Sequence, residues 1–352
     1  VDYMSKFYDE IVQIPEALHR VIDYYRAEGL KKLTDWQKLV SEHSALSFLG
    51  MGTSEFSIYS ALPKFEQNGL PISVRDAGEY LYYGVQKQNE KMLSILTSQS
   101  GESVEIRKLI EAGRIGSSMV GITNDTESIL GKSARLVFPL FGGEEASISA
   151  KTYTNTLAVL NFMGETLAKK QVPSASFFDT LDKGADSLLS VSDEEIQEAV
   201  HHLLPGDAIA FVGRGPAYTC ASQSALTFME GTHCLSSPFT GGAFRHGPFE
   251  SVGKLFSIVI YCAKGKTSAF SWKLASDSAE HGAKVLVITD DTPSVSHKSI
   301  KVLKIGSVFS GDETLFPLAV SGIHPRIIHF LAAARGLEAG IFNYGGKITV
   351  TE

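Results

Sequence analysis

Three serine hydroxyls, those of Ser98, Ser100 and Ser103, fall within six residues in Thr97-Ser98-Gln99-Ser100-Gly101-Glu102-Ser103, between a short apolar run and an amphipathic stretch. Gly101 lets the backbone approach a ligand closely. The helix predicted to follow presents unpaired N–H groups and the positive end of its dipole. Hydroxyls and amides together at a helix start suit a phosphate monoester. The same serines also fit a plain capping loop, in which Ser100 or Ser103 satisfies the first helical turn. Spacing alone leaves both open.

A second loop, Gly50-Met51-Gly52-Thr53-Ser54, also follows an apolar run. It lacks the third glycine of a dinucleotide fingerprint and the lysine of a nucleotide-binding P-loop, so neither ligand is expected. Further along, His246 stands between Arg245 and a Gly-Pro turn, which should fix it, and an imidazole suits proton transfer near neutral pH. A lone histidine is equally at home as a structural or exposed residue. Glu230 closes a predicted helical stretch, where a solvated charge is the bland alternative. Lys347 follows Gly345-Gly346 near the end of the chain, where a surface lysine on a frayed tail is the plain expectation.

The elements that must carry these residues follow from the apolar pattern. Ile11, Ile14, Leu18, Val21 and Ile22 recur at helical spacing, and Pro15 suits a helix start. Short apolar runs then alternate with helical stretches at residues 46–51, 92–96, 119–123 and 136–140, and again at 209–212, 256–261, 285–289 and 302–305. Such runs read as strands buried on both faces, and their alternation with helices predicts βαβ units in a parallel sheet. Both hydroxyl loops then lie at the carboxyl edge, where α/β folds bind ligands. The halves also match directly. Residues 48–52 (FLGMG) resemble 211–215 (FVGRG), and 91–95 (KMLSI) resemble 254–258 (KLFSI), both 163 positions on; 121–126 (GITNDT) resemble 287–292 (VITDDT), 166 positions on. Three matches in order at nearly constant offset indicate two copies of one α/β unit.

The 352 residues, 43% hydrophobic and 20% charged, describe a folded globular chain of two domains or one large one. A net charge of −7 argues against nucleic acid or an anionic membrane as a partner, but not against a small anion. Cys220, Cys234 and Cys262 form no closed set of pairs and no metal-site spacing, so reduced thiols are expected. The apolar run 255–263 is too short to span a membrane, and residues 1–8 show no signal-peptide pattern. The expectation is a cytoplasmic protein.

Taken together the motifs resemble the sugar isomerase (SIS) domain family. They carry the S-Q-S-G-E-S loop, the G-x-G-T-S strand end, G-E-E-A-S-I-S-A-K-T-Y-T at 143–154, G-R-G at 213–215, R-H-G-P at 245–248 and K-I-T-V-T-E at 347–352. Their order is similar to the isomerase half of the glutamine–fructose-6-phosphate aminotransferases, over residues 45–352. The resemblance implies two tandem SIS domains, each a three-layer αβα, flavodoxin-like parallel sheet. It places an N-terminal helical arm at 1–42, the first domain at 43–169, a helical linker at 170–205, the second domain at 206–335 and a tail over the active site at 336–352. It implies that Ser98, Gln99, Ser100 and Ser103, with Thr53 and Ser54, bind the substrate phosphate, and that Ser149 and Gly52 meet the sugar. Glu230 would move a proton between C1 and C2, His246 would open the ring, and Lys347 would form a Schiff base with the open-chain ketose. No metal or cofactor is implied. The histidine would come from a neighbouring subunit, which implies a homodimer.

Departures from the aminotransferase pattern accompany the likeness. Gln223 and Ala243 stand where it has glutamates, and Arg245 where it has a lysine. The H-G-P-F-E run at 246–250 is instead similar to deglycases of fructosamine 6-phosphates, whereas the K-I-T-V-T-E tail is similar to the aminotransferases. Only residues 2–42 precede the first SIS copy, so no glutaminase activity is expected of this chain. The function expected is phosphosugar processing on an amino-sugar phosphate or a fructosamine 6-phosphate, by ring opening and C1–C2 proton transfer with amine release or rearrangement. The alternatives are a deglycase and a non-catalytic sugar phosphate sensor.

Overall fold

In the computed structural model, which describes residues 5–84, 90–116, 118–204, 208–344 and 346–347, the apolar runs form two all-parallel sheets. Strands β1 (Ala45–Gly50), β2 (Ile72–Asp76), β3 (Met92–Thr97), β4 (Val120–Thr123) and β5 (Leu136–Pro139) stand in the order β2-β1-β3-β4-β5. Strands β6 (Ala208–Gly213), β7 (Ser236–Thr240), β8 (Phe256–Cys262), β9 (Lys284–Thr289) and β10 (Ile300–Lys304) stand in the order β10-β9-β8-β6-β7. Taken from its other edge, the second order repeats the first. The three repeated segments of the sequence fall on β1 and β6, β3 and β8, and β4 and β9. Phe48 pairs with Val74 and Ile95, and its counterpart Phe211 with Pro238 and Val259. This 2-1-3-4-5 order is flavodoxin-like and reverses direction between its first and third strands.

The chain divides into two compact units, one of Glu16–Asp182 with Phe342–Glu352, the other of Val1–Pro15 with Lys183–Ile341. In the first, Leu49 and Leu96 face a cluster with Tyr80, Leu81, Ile106 and Leu109, drawn from the helices Ala77–Tyr83 and Val104–Glu111. The opposite face packs the aromatic residues Tyr25, Trp36, Phe65, Phe138 and Phe162. In the second, Phe211, Val259 and Tyr261 face the helices Asp193–Leu203, Tyr218–Thr232 and His324–Ala334, while Ala210, Val212, Ile258 and Ile260 face Ser268–Glu280. Each sheet is thus covered on both faces, which is why its central strands are apolar without alternation.

The stripe from Ile11 to Ile22 is fully buried along helices Lys6–Val12 and Ile14–Arg26. Strands β2 and β7 have no strong signal in the sequence. Both are edge strands, β2 half-buried throughout and β7 (Ser-Ser-Pro-Phe-Thr) carrying a proline, which edges tolerate because one side of the ladder is unpaired. Among the described residues one stretch, Glu313–Ala334, is long and apolar enough to cross a membrane; 94% of its most apolar window is buried inside the protein. Cys220, Cys234 and Cys262 are all free thiols.

Candidate functional site

The loops after β1 and β3 flank the strand-order reversal of the first sheet. Gly50 ends β1 because a Cβ there would sit 2.8 Å from the backbone of Ser54 and Glu55. Gly52, at φ +50, turns the chain so that Thr53 and Ser54 open the short helix Thr53–Phe56. All three are half-buried, and no side chain caps that helix. Beside them Glu55 has its carboxyl pushed up by burial and then by the charge of Asp76.

The loop after β3 is tightly braced. The backbone N–H of Ser98 donates to Ile122 (3.0 Å), that of Asn124 to the Gln99 carbonyl (3.0 Å), and that of Leu130 to the Gly101 carbonyl (3.2 Å). Ser98 Oγ accepts from the Gly101 N–H at 3.1 Å and lies 3.3 Å from Ser103 Oγ, while Ser100 Oγ accepts from the Glu102 N–H at 3.2 Å. Gly101 is at φ +65, and a Cβ on it would lie 2.0 Å from Ser128 Oγ. Ser103 is the N-cap residue of Val104–Glu111, yet its side chain makes no capping hydrogen bond. Of the two options the sequence left open, capping by Ser103 is therefore not what its hydroxyl does. Ser98 is buried, and Gln99, Ser100 and Ser103 are half-buried. Two side chains to which the sequence gave no prominence add to the bracing: Thr123 Oγ1 donates to the Gln99 carbonyl at 3.2 Å, and Glu102 Oε1 accepts from the Ile129 N–H at 2.7 Å.

The third element is the helix Lys151–Lys169, sixteen of whose nineteen residues are buried, so its first N–H groups have little access to water. Glu145 satisfies them: Oε1 accepts from the N–H of Ala150 (2.9 Å) and Thr152 (3.2 Å), and Oε2 from the Thr152 hydroxyl (2.5 Å). Lys347 closes the set, donating to Glu145 Oε2 at 2.7 Å and to Ser149 Oγ at 3.1 Å. Burial pushes the Glu145 carboxyl up, but the Lys347 charge, with hydrogen bonds from Lys347, Thr152 and Ala150, outweighs it and holds the group below its ordinary value. The expected frayed surface lysine is instead seated on Ser149, 198 positions earlier in the chain. Residues 348–352 of the K-I-T-V-T-E motif lie outside the described residues.

In the second unit Gly213 and Gly215 repeat the geometry of Gly50 and Gly52: a Cβ on Gly213 would meet Ala217 at 2.1 Å, and Gly215 is at φ +54. Glu230 lies in the last turn of Tyr218–Thr232, half-buried. His246 ends the short helix Gly241–Arg245, which Thr240 Oγ1 caps through the Ala243 N–H at 3.2 Å. Its backbone N–H donates to Ala243 (3.1 Å), but its ring is exposed, so the segment is fixed through the backbone and through Arg245. Arg245 donates to Asp277 at 2.7 Å and lies over the Phe249 ring at 5.5 Å. Among the described residues no group of three or more His, Cys, Asp or Glu is arranged to hold a metal ion.

The SIS domain model matches residues 38–165. The glutamine–fructose-6-phosphate aminotransferase (isomerizing) of Streptococcus mutans is 26% identical over 349 residues, covering 96% of this chain and 56% of that protein, so the chain spans about half the length of the curated relatives it matches. The C-terminal domain of glucosamine-fructose-6-phosphate aminotransferase from Francisella tularensis superposes with a TM-score of 0.87 at 21% identity, covering 96% of this chain and 98% of that one. Glucosamine-6-phosphate deaminase from Thermotoga maritima superposes with a TM-score of 0.74 at 19% identity, covering 99% and 100%. The chain thus carries a match to the SIS domain model over residues 38–165, is similar to these aminotransferases along nearly its whole length, and repeats one sheet topology twice.

Proposed function

We propose that this chain is a phosphosugar-processing enzyme acting on an amino-sugar phosphate or a fructosamine 6-phosphate, by ring opening and C1–C2 proton transfer with release or rearrangement of the amine. The observation that carries the proposal is the braced Ser98–Gln99–Ser100–Ser103 loop at the strand-order reversal, where Ser103 leaves its helix start without a side-chain cap. A phosphate there would take N–H groups and hydroxyls from a frame already held in place, so little ordering is needed on binding.

The remaining roles follow from the chemistry of the side chains. Thr53 and Ser54 extend the phosphate site, and Gly52 and Ser149 meet the sugar. An imidazole such as His246 serves to open a closed ring. Glu230 carries a proton between adjacent carbons once an electron-withdrawing group at C1 has acidified C2. Lys347 is the contact for the open-chain carbonyl. These steps use side-chain acid–base chemistry alone. The assembly we propose is a homodimer in which His246 enters from the neighbouring subunit, within a chain of two SIS domains at 43–169 and 206–335.

The relatives' names supply glucosamine 6-phosphate and fructose 6-phosphate as candidate substrates, and the H-G-P-F-E run at 246–250 adds fructosamine 6-phosphates. Glucosamine 6-phosphate, fructose 6-phosphate and fructosamine 6-phosphates should be assayed for ammonia, amino acid and ketose release. Turnover of at least one is expected, and Glu230→Gln should lower it more than 100-fold while leaving sugar phosphate binding intact. Binding without turnover in the parent protein would make the chain a sensor, and neither would overturn the proposal.

A further inference from the structure

The loop after β8 is the counterpart, in the second sheet, of the loop after β3. Each opens a helix at the strand-order reversal of its sheet, Val104–Glu111 in the first unit and the thirteen-residue Ser268–Glu280 in the second. Each helix starts on a hydroxyl residue, Ser103 or Thr267, whose side chain makes no capping hydrogen bond. Residues 263–268 read Ala-Lys-Gly-Lys-Thr-Ser, so the second loop also has a glycine and hydroxyls, and adds two exposed lysines. By composition it has more to offer an anion than the first.

Its backbone is already taken. The Lys264 N–H donates to Asp290 Oδ1 at 2.7 Å, and the Lys266 N–H to Glu313 Oε1 at 3.1 Å. Glu313 is seated in the bend itself, since a Cβ on Gly265 would lie 2.3 Å from its Cδ and its Oε1. Asp290 is buried and accepts from the Ser310 hydroxyl at 2.8 Å. The first loop is furnished differently. The position matching Asp290 in the repeat is Asn124, a neutral amide whose oxygen accepts from the Gly142 N–H at 2.7 Å. The carboxylate within that loop, Glu102, is engaged by Ile129 and Arg107. Its Gly101 and Glu102 N–H groups rest on serine hydroxyls. A hydroxyl can turn to donate to a phosphate, whereas a carboxylate can only accept and repels it.

We infer that Glu313, with Asp290, occupies the anion cradle of the second unit as a built-in substitute for phosphate. A chain with two copies of one α/β unit then binds one phosphosugar, at the loop after β3. This rests on the proposed phosphate role of that loop. Glu313 opens the short helix Glu313–Leu315 of the same unit, and a tethered carboxylate acts at a high effective concentration, so free phosphate does not displace it.

Hydrogen–deuterium exchange of the full chain with inorganic phosphate, against chloride at equal ionic strength, reads both loops at once. In the parent chain phosphate should slow the amides of 98–106 by at least about threefold and leave those of 263–271 unchanged. In Glu313→Ala it should slow 263–271 by at least about threefold as well, because the Lys266 N–H and the helix start can then take the anion. Protection of 263–271 in the parent overturns the inference, and so does its absence in Glu313→Ala. Should Glu313→Ala fail to fold, Glu313→Ser, which keeps an acceptor at that position, is read in the same way. If phosphate leaves 98–106 unprotected in the parent, the proposed phosphate site fails. The gain at 263–271 on removing Glu313 then decides by itself whether the second cradle was filled.

Discussion

Gly101 shows how much one residue can decide in this protein. Its φ of +65 and the Ser128 hydroxyl, 2.0 Å from where a Cβ would lie, both exclude a side chain. Gly113 has nearly the same φ, +60, but no atom within 4 Å of a Cβ. The pair separates backbone strain from contact. Gly113→Ala should cost about 1 kcal/mol of stability, the usual penalty of the left-handed region, and leave ligand binding unchanged. Gly101→Ala should cost about 1–3 kcal/mol and weaken phosphate or sugar phosphate binding at least tenfold, because the Ser98–Ser103 frame must shift. Denaturant melts and titration calorimetry on both variants check this. The loop itself was legible in the sequence as a cluster of hydroxyls around one glycine before a helix, a pattern that fits capping as well as phosphate binding. Its bracing was not, since Thr123 reaches Gln99 only through the pairing of β3 with β4.

Single elements follow the same division. The helix Asp193–Leu203 announces itself: Ser192 caps it through the Glu195 N–H at 3.2 Å, and Glu195 answers with its side chain on the Ser192 N–H at 3.1 Å. This capping box is local and exposed, so Ser192→Ala should destabilise the chain by about 1 kcal/mol with activity unchanged, as thermal unfolding and an assay would show. The helix Lys151–Lys169 works differently. Its polar residues are inside, and they bond within the unit: Asn155 Nδ2 donates to the carbonyls of Ala17 (2.9 Å) and Leu140 (2.8 Å), while the Thr154, Thr156 and Thr166 hydroxyls bond back to the preceding turn. A buried helix with polar residues all round gives no amphipathic stripe, and so its place at the centre of a unit could not be read from periodicity.

At the scale of the molecule, several buried groups shape the behaviour in acid: burial lowers His202 and His329 in the same sense as His324, and Glu145 adds to them. Burial lowers His324 from 6.5 to about 3, with a backbone hydrogen bond at Val320 offsetting part of the effect. Between those values the unfolded chain takes up a proton that the folded chain refuses, so stability falls as pH drops from 6.5 toward 3. Glu145, held below its ordinary 4.5, acts in the same sense: its contribution is present above pH 4.5 and is lost as pH falls through the lower folded value. The melting temperature should therefore begin to drop below pH 6.5 and drop further below pH 4.5. In scanning calorimetry His324→Leu should reduce the first step, His202 and His329 keeping the remainder, and Glu145→Gln should reduce the second. A step that survives its own substitution would show that another group causes it.

The sequence alone determined the repeated α/β architecture and the hydroxyl-rich character of the loop after β3, because apolar runs, turn residues and hydroxyl clusters act over a few neighbouring positions. The edge strands β2 and β7 escaped it, since an edge is half-wet and needs no apolar pattern. Tertiary structure alone decided what Lys347 is. Its partners Glu145 and Ser149 lie 202 and 198 positions away, and only the folded chain makes Lys347 a half-buried, paired cation. The physical reason is that a charge pair is created by desolvation and distance, and neither exists until the chain has closed around it.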